Sequence, residues 1–257
     1  MNRSFLLNTS AEFLKCRKTV VIWLTILVAA LLPPLNYFML MEHRERFIQM
    51  MKRDPWDLIF MINLDNAATV TLPVFCILLS ATIASIEIRN NTWKQVYSQP
   101  RSHADIYFSK FIVVQYYLLL YFICSFISSL TEGFLLHAMD AAFPLYWQNI
   151  HWQLLLTHFL RIYIGALALS TLQYWLSIHL RNFIVPVFIG LGLLAAGSVV
   201  NMLGYGLYYP YVYPRIMLAI NIVGNRYNHA EGTAFTYCLG GFLLLLMPGF
   251  VPRRKII

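Results

Sequence analysis

The sequence predicts an all-α membrane protein: six transmembrane helices preceded by an N-terminal amphipathic helix. Three observations predict it. Of 257 residues, 59% are hydrophobic and only 12% are charged, where a soluble domain carries about a quarter. The mean hydropathy is +0.62, more apolar surface than one core can hide from water. The apolar residues fall in six runs, each near the roughly 20 residues that cross about 30 Å of hydrocarbon.

Residues 1–18 read as the amphipathic helix. Thr9 with Glu12 matches a capping box, and Leu7, Ala11 and Leu14 share one face by their spacing. Lys15, Arg17 and Lys18 follow at headgroup level, as in a helix lying on the bilayer. The alternative is a first span that begins early.

The expected spans are 19–41, 66–86, 111–131, 158–178, 183–208 and 232–251, in one domain covering 1–257. The first is too long for the core of a signal peptide, and no clear cleavage motif closes it. It is therefore expected to be retained, bent near its end by Pro33 and Pro34. The second contains Pro73; the fifth contains Pro186 and turns rich in glycine and tyrosine from Gly204. Small residues recur at helix-packing spacing in Ala81 with Ser85, Ala166 with Ser170, and Gly192 with Ala196.

Net charge is +8, but the basic residues sit at the ends of apolar runs, a placement that orients spans and does not suggest nucleic acid. With the N-terminus inside, inner segments hold about 12 Lys/Arg and about 3 acids, and outer loops about 6 against about 7. Both termini are then cytoplasmic. The outer connections are Glu42–Asp57 and Glu132–His151, and 87–110 is the one sizeable inner loop. Cys16, Cys76, Cys124 and Cys238 form no C-x-x-C pair and read as small buried hydrophobes.

Catalytic signatures are absent. No lysine follows a glycine, so there is no P-loop. There is no H-E-x-x-H, no zinc spacing and no G-x-S-x-G elbow. Proton- and sodium-coupled carriers bury carboxylates near the midplane, and the expected spans hold almost none. Asp65 and Arg161, at the outer ends of spans two and four, are candidates for an ion pair; two separately snorkelling residues are the alternative. The segment YGLYYPYVYP offers Tyr205, Tyr208, Tyr209, Tyr211 and Tyr213 either as an interfacial belt or as a re-entrant outer gate.

The inner loop reads as a built element. Thr92 with Gln95 starts a short helix that Pro100 stops, and Ser102 with Asp105 starts another that runs into span three. Trp93, Val96 and Tyr97 give it apolar contact area. Glu87, then Arg89-Asn90-Asn91-Thr92-Trp93-Lys94, then Ser98-Gln99-Pro100-Arg101-Ser102, then Ile106–Lys110 resemble the permease subunits of ABC-2-type transporters. Chain length resembles the subgroup with lantibiotic self-protection and bacitracin-resistance permeases.

The resemblance implies a transport subunit of a bacterial inner-membrane exporter, without an ATPase site of its own. Two permeases, identical or related, would join a separate ABC ATPase that holds the ATP and Mg. The loop would carry a cytoplasmic coupling helix docked on that ATPase. Glu87, Arg89, Asn91, Thr92, Trp93, Lys94, Val96 and Tyr97 would be its contacts. The cargo would be an amphipathic or hydrophobic compound: an antimicrobial peptide, a drug or a lipid. The rivals are a membrane-embedded enzyme using His158, Arg161 and His179, and a non-transporting scaffold or sensor.

Overall fold

A computed structural model of the chain describes residues 3–17, 19–51, 54–89, 103–180, 182–222 and 231–247. Helices follow in the order α1 (Arg3–Arg17), α2 (Val21–Glu42), α3 (Arg44–Met50), α4 (Pro55–Asn66), α5 (Leu72–Arg89), α6 (His103–Met139), α7 (Trp152–Leu180), α8 (Ile184–Met202), α9 (Tyr213–Ile222) and α10 (Glu231–Leu246). Among the described residues there is no strand.

Among the described residues, five helices are long and apolar enough to cross a membrane: Val21–Glu42, Pro55–Ile86, Ala104–Met139, Trp152–Leu180 and Ile184–Met202. The expected sixth span is represented by the shorter apolar helix Thr233–Leu246, below the roughly 20 residues a crossing needs. Its expected continuation, 248–251, lies outside the described residues. Among the described residues, five helices therefore meet the length requirement.

Two helices run well past the expected spans, for identifiable reasons. Pro73 has no N–H for the carbonyl of Thr69. Ala67–Thr71 form a π turn there, and the Leu72 N–H is donated to the Ala67 carbonyl. That turn joins α4 to α5 without a break, so the helix starts at Pro55. α6 continues through Glu132 to Met139 because Gly133 and Leu136 keep facing a buried neighbour, Trp56 of α4.

α7 is the central column, with α5, α9 and α10 packed along it. α2 pairs with α6, and α1 lies against α6. The main core joins Leu72, Phe75 and Leu79 of α5 to Val114 and Tyr121 of α6 and Ile162 and Leu169 of α7. A second cluster, at the end away from α1, joins Leu40, Trp56, Phe60, Leu136, Phe143 and Leu155. Outward faces carry Trp23, Leu27 and Leu31 of α2 and Ile184, Phe188 and Leu191 of α8. So continuous an apolar exterior suits lipid or another chain, not water.

Small residues do permit close contact, but only partly where spacing predicts. Ala81, Ser85, Ala166 and Ser170 are buried. Gly192 and Ala196 face outward, and nothing lies within 4 Å of a Cβ placed on Gly192. On the same helix Gly190 meets Gln173 and Ile77, and Gly197 meets Tyr209 and Val212.

α1 turns out differently from its sequence pattern. Thr9 is no cap: its hydroxyl donates to the Phe5 carbonyl, four residues back, inside a continuous helix. Leu7 and Leu14 are exposed, while Asn8, Glu12 and Cys16 turn toward the bundle. The helix presents its polar face inward because α6 offers Lys110 there.

Candidate functional site

α5 ends at Arg89 and α6 begins at His103, so the predicted coupling loop is bracketed by two long helices. Glu87 and Arg89 occupy the last turn of α5 by backbone. Asn91, Thr92, Trp93, Lys94, Val96 and Tyr97 lie outside the described residues. The first turns of α6 are firmly seated. Lys110 Nζ lies 2.6 Å from Glu12 Oε2, and Lys15 Nζ lies 2.5 Å from Glu12 Oε1. Both Lys110 and Glu12 are largely shielded, with side chains 6% and 12% exposed. Burial alone would raise the Glu12 carboxyl, but Lys110 and Lys15 outweigh it and hold the group below its ordinary 4.5.

A second tie reaches α7. The Tyr174 hydroxyl donates to the Tyr107 carbonyl at 2.6 Å, and the ring of Tyr174 also leans on Phe111. The first turns of α6 are thus tied to both α1 and α7. Sequence pattern missed this clamp. Glu12 looked like half of a capping box, and Lys110 like the basic end of the inner loop.

At the opposite end, the tyrosine segment divides. Tyr205 and Tyr208 are exposed, whereas Tyr211 and Tyr213 are buried. Two short 3-10 turns, Gly206–Tyr208 and Pro210–Val212, carry the chain inward. The Tyr209 hydroxyl donates to the Leu193 carbonyl at 2.7 Å, and the Tyr211 hydroxyl to Gln173 Oε1 at 2.6 Å. Gln173 lies only about 10 Å of helix rise from Leu180, the α1-side end of α7. The segment thus re-enters the bundle, and α9 climbs back from Pro214, which touches Gly165 in mid-α7. Irregular backbone at that depth is tolerated because it bonds within itself: the N–H groups of Tyr208, Tyr209 and Val212 donate to the carbonyls of Tyr205, Gly206 and Tyr209.

Asp65 has a partner on α9: Arg215 Nε lies 3.6 Å from its Oδ1, and both side chains are about half exposed. Arg215 is a residue the pattern of charges did not single out, and the Asp65–Arg161 pairing stays an expectation. His158 is buried beside Asp57 of α4 at 3.7 Å. His158 and His179 stand on one helix, about 31 Å of rise apart, so no single site holds both.

A buried polar cluster joining α2, α4 and α6 was not legible as a site. The Asn36 amide of α2 donates to Asn63 Oδ1 at 2.9 Å, and the Asn63 amide of α4 donates to Glu132 Oε2 at 2.7 Å. The Asn66 amide closes on Asn36 Oδ1 at 3.0 Å. Glu132 is 4% exposed, and its second oxygen has no hydrogen-bond partner. A carboxylate buried inside the bundle corrects the expectation that the spans hold almost none. The available signal was the apolar spacing of Phe134, Leu135 and Met139, which continues a helix beyond Glu132.

Residues 9–197 match a family model described as ABC-2 family transporter protein. No curated protein and no solved structure matches the chain. The matched region takes in α1 from Thr9 onward, both helices that bracket the inner loop, the α1–α6 clamp and α8 as far as Gly197. The chain belongs to the ABC-2 family of transporter proteins, as a membrane component of an ABC transporter.

Proposed function

We propose that this chain is the permease of an exporter that moves an amphipathic or hydrophobic compound outward, powered by a separate ABC ATPase. Two permeases, identical or related, form the membrane part. Both termini and the 87–110 loop face the cytoplasm of a bacterial inner membrane, as the excess of basic residues on those segments favours. The family match across the α5–α6 junction is the observation that carries this assignment.

In mechanism, the loop is the lever. Closure of the ATPase pair pushes on the helix starting near Thr92, where Glu87, Arg89, Asn91 and Lys94 serve as polar anchors and Trp93, Val96 and Tyr97 as apolar ones. α6, held to α1 by Glu12 and Lys110 and to α7 by Tyr174, carries that push into the bundle. The re-entrant tyrosines, seated on Gln173 and Leu193, form the outer gate that the push releases. The cargo subgroup proposed is that of lantibiotic and bacitracin resistance.

The test is coupling. Trp93→Ala with Lys94→Ala should leave membrane insertion intact while ATP hydrolysis continues without transport. Unchanged transport per ATP in that variant would remove the lever from the mechanism. Co-purification with an ATPase whose hydrolysis no ligand stimulates would favour the scaffold instead.

A further inference from the structure

We infer that the groove between α2 and α6 is a binding site for a free amphiphilic amine, held by the carboxylate of Glu132. The groove encloses about 500 Å³, within the range of drug-sized pockets. Its body is apolar: Pro33, Phe38, Leu135 and Met139 line it. Phe38 and Leu135 are exposed on the outside of the bundle, so a molecule dissolved in lipid reaches the groove sideways.

The polar groups in the wall call for a donor. Glu132 is the one charged residue among those lining the groove. One of its oxygens takes the Asn63 amide, and the other is buried without a partner. A buried carboxylate oxygen left unserved is costly, and a cation that reaches it removes the cost. Pro34, also in the wall, has no N–H for the Ala30 carbonyl, so a second acceptor there lacks its usual helix bond. Two of the three hydroxyls in the wall are committed elsewhere: Tyr37 donates to Met139 Sδ and Thr131 to the Ser128 carbonyl.

An ammonium group brings up to three donors and a positive charge, and it matches this excess of acceptors. A neutral alcohol brings one donor and no charge. A two-chain lipid carries more hydrocarbon than the groove encloses, which points to a single-chain or compact amine. The inference deepens the permease assignment by naming a cargo class. Its role in transport rests on that assignment, whereas binding itself does not.

The test uses the full chain in phosphatidylcholine nanodiscs, with isotope-labelled dodecylammonium as probe, dodecanol as its neutral twin and empty nanodiscs as background. Dodecylammonium should bind at least about tenfold more tightly than dodecanol. Glu132→Gln keeps the side-chain shape and an acceptor for Asn63, and should abolish that preference. Should Glu132→Gln fail to fold, Leu135→Trp serves: it fills the groove from an exposed position and should weaken dodecylammonium about tenfold at unchanged thermal stability. Equal binding of amine and alcohol would overturn the inference, as would preference retained in Glu132→Gln or binding retained in Leu135→Trp. Displacement of the probe by phosphatidylethanolamine at matched mole fraction would assign the site to a lipid amine and overturn the free-ligand claim. None of these outcomes alters whether an ATPase co-purifies, so failure here is distinguishable from failure of the permease assignment.

Discussion

Replacing Gly165 by alanine tests whether the tyrosine segment is seated on α7. A Cβ at that position would stand 2.8 Å from Pro214 Cα and 2.9 Å from Pro214 N and the Tyr213 carbonyl carbon. Carbon atoms prefer about 3.5 Å or more, so the start of α9 would have to retreat by roughly 0.7 Å. These are backbone atoms, and no rotamer change relieves them. Overpacking of this kind costs about 1–3 kcal/mol, offset by up to about 1 kcal/mol because alanine favours helix over glycine. Gly192→Ala is the matched control, since nothing lies within 4 Å of its Cβ and only the helix gain remains. Subtracting the two variants cancels that gain and leaves the clash alone. Thermal unfolding in detergent or nanodiscs reads it: Gly192→Ala should hold or rise, and Gly165→Ala should fall several degrees below it, at about 2–4 °C per kcal/mol for a chain of this size. Equal melting temperatures would refute the seating of Pro214 against α7.

Three further outcomes follow from the same geometry. Glu12 has a folded pKa below its unfolded 4.5, so its contribution is complete above 4.5 and disappears as pH falls through the folded value; hydrogen exchange in α1 should rise there. A double-mutant cycle of Glu12→Gln and Lys110→Met should give a coupling energy of about 0.5–3 kcal/mol in thermal unfolding, and additive losses would deny the clamp. Gly133→Ala should destabilise by about 1–3 kcal/mol, because its Cβ would meet the buried Trp56 ring at 2.5 Å; tryptophan fluorescence should report the displaced ring.

That the chain carries several helices long and apolar enough to cross lipid was legible from composition, because a 20-residue apolar run has few other uses. How far the helices extend was not. Glu132 and Asp57 looked like loop charges, yet both sit on helices that overrun the apolar runs, where Asn63 and His158 face them. A charge marks the end of a hydrophobic run, but the helix ends only where its backbone loses its partners. α1 shows the same limit from the other side: spacing identified its leucine face, and only packing against Lys110 shows that the opposite face is the one turned inward. The re-entrant segment was suggested by two prolines among tyrosines. Its depth depends on Tyr211 reaching Gln173, a contact between residues far apart in the chain.

Reconstitution tests the central claim most directly. The chain is placed in proteoliposomes with and without its ABC ATPase, and movement of an amphiphilic amine is followed on addition of ATP. Accumulation against a gradient should require both the ATPase and ATP, and should stop in Trp93→Ala with Lys94→Ala while hydrolysis continues. Uphill movement by the chain alone, driven by a proton or sodium gradient, would contradict the account.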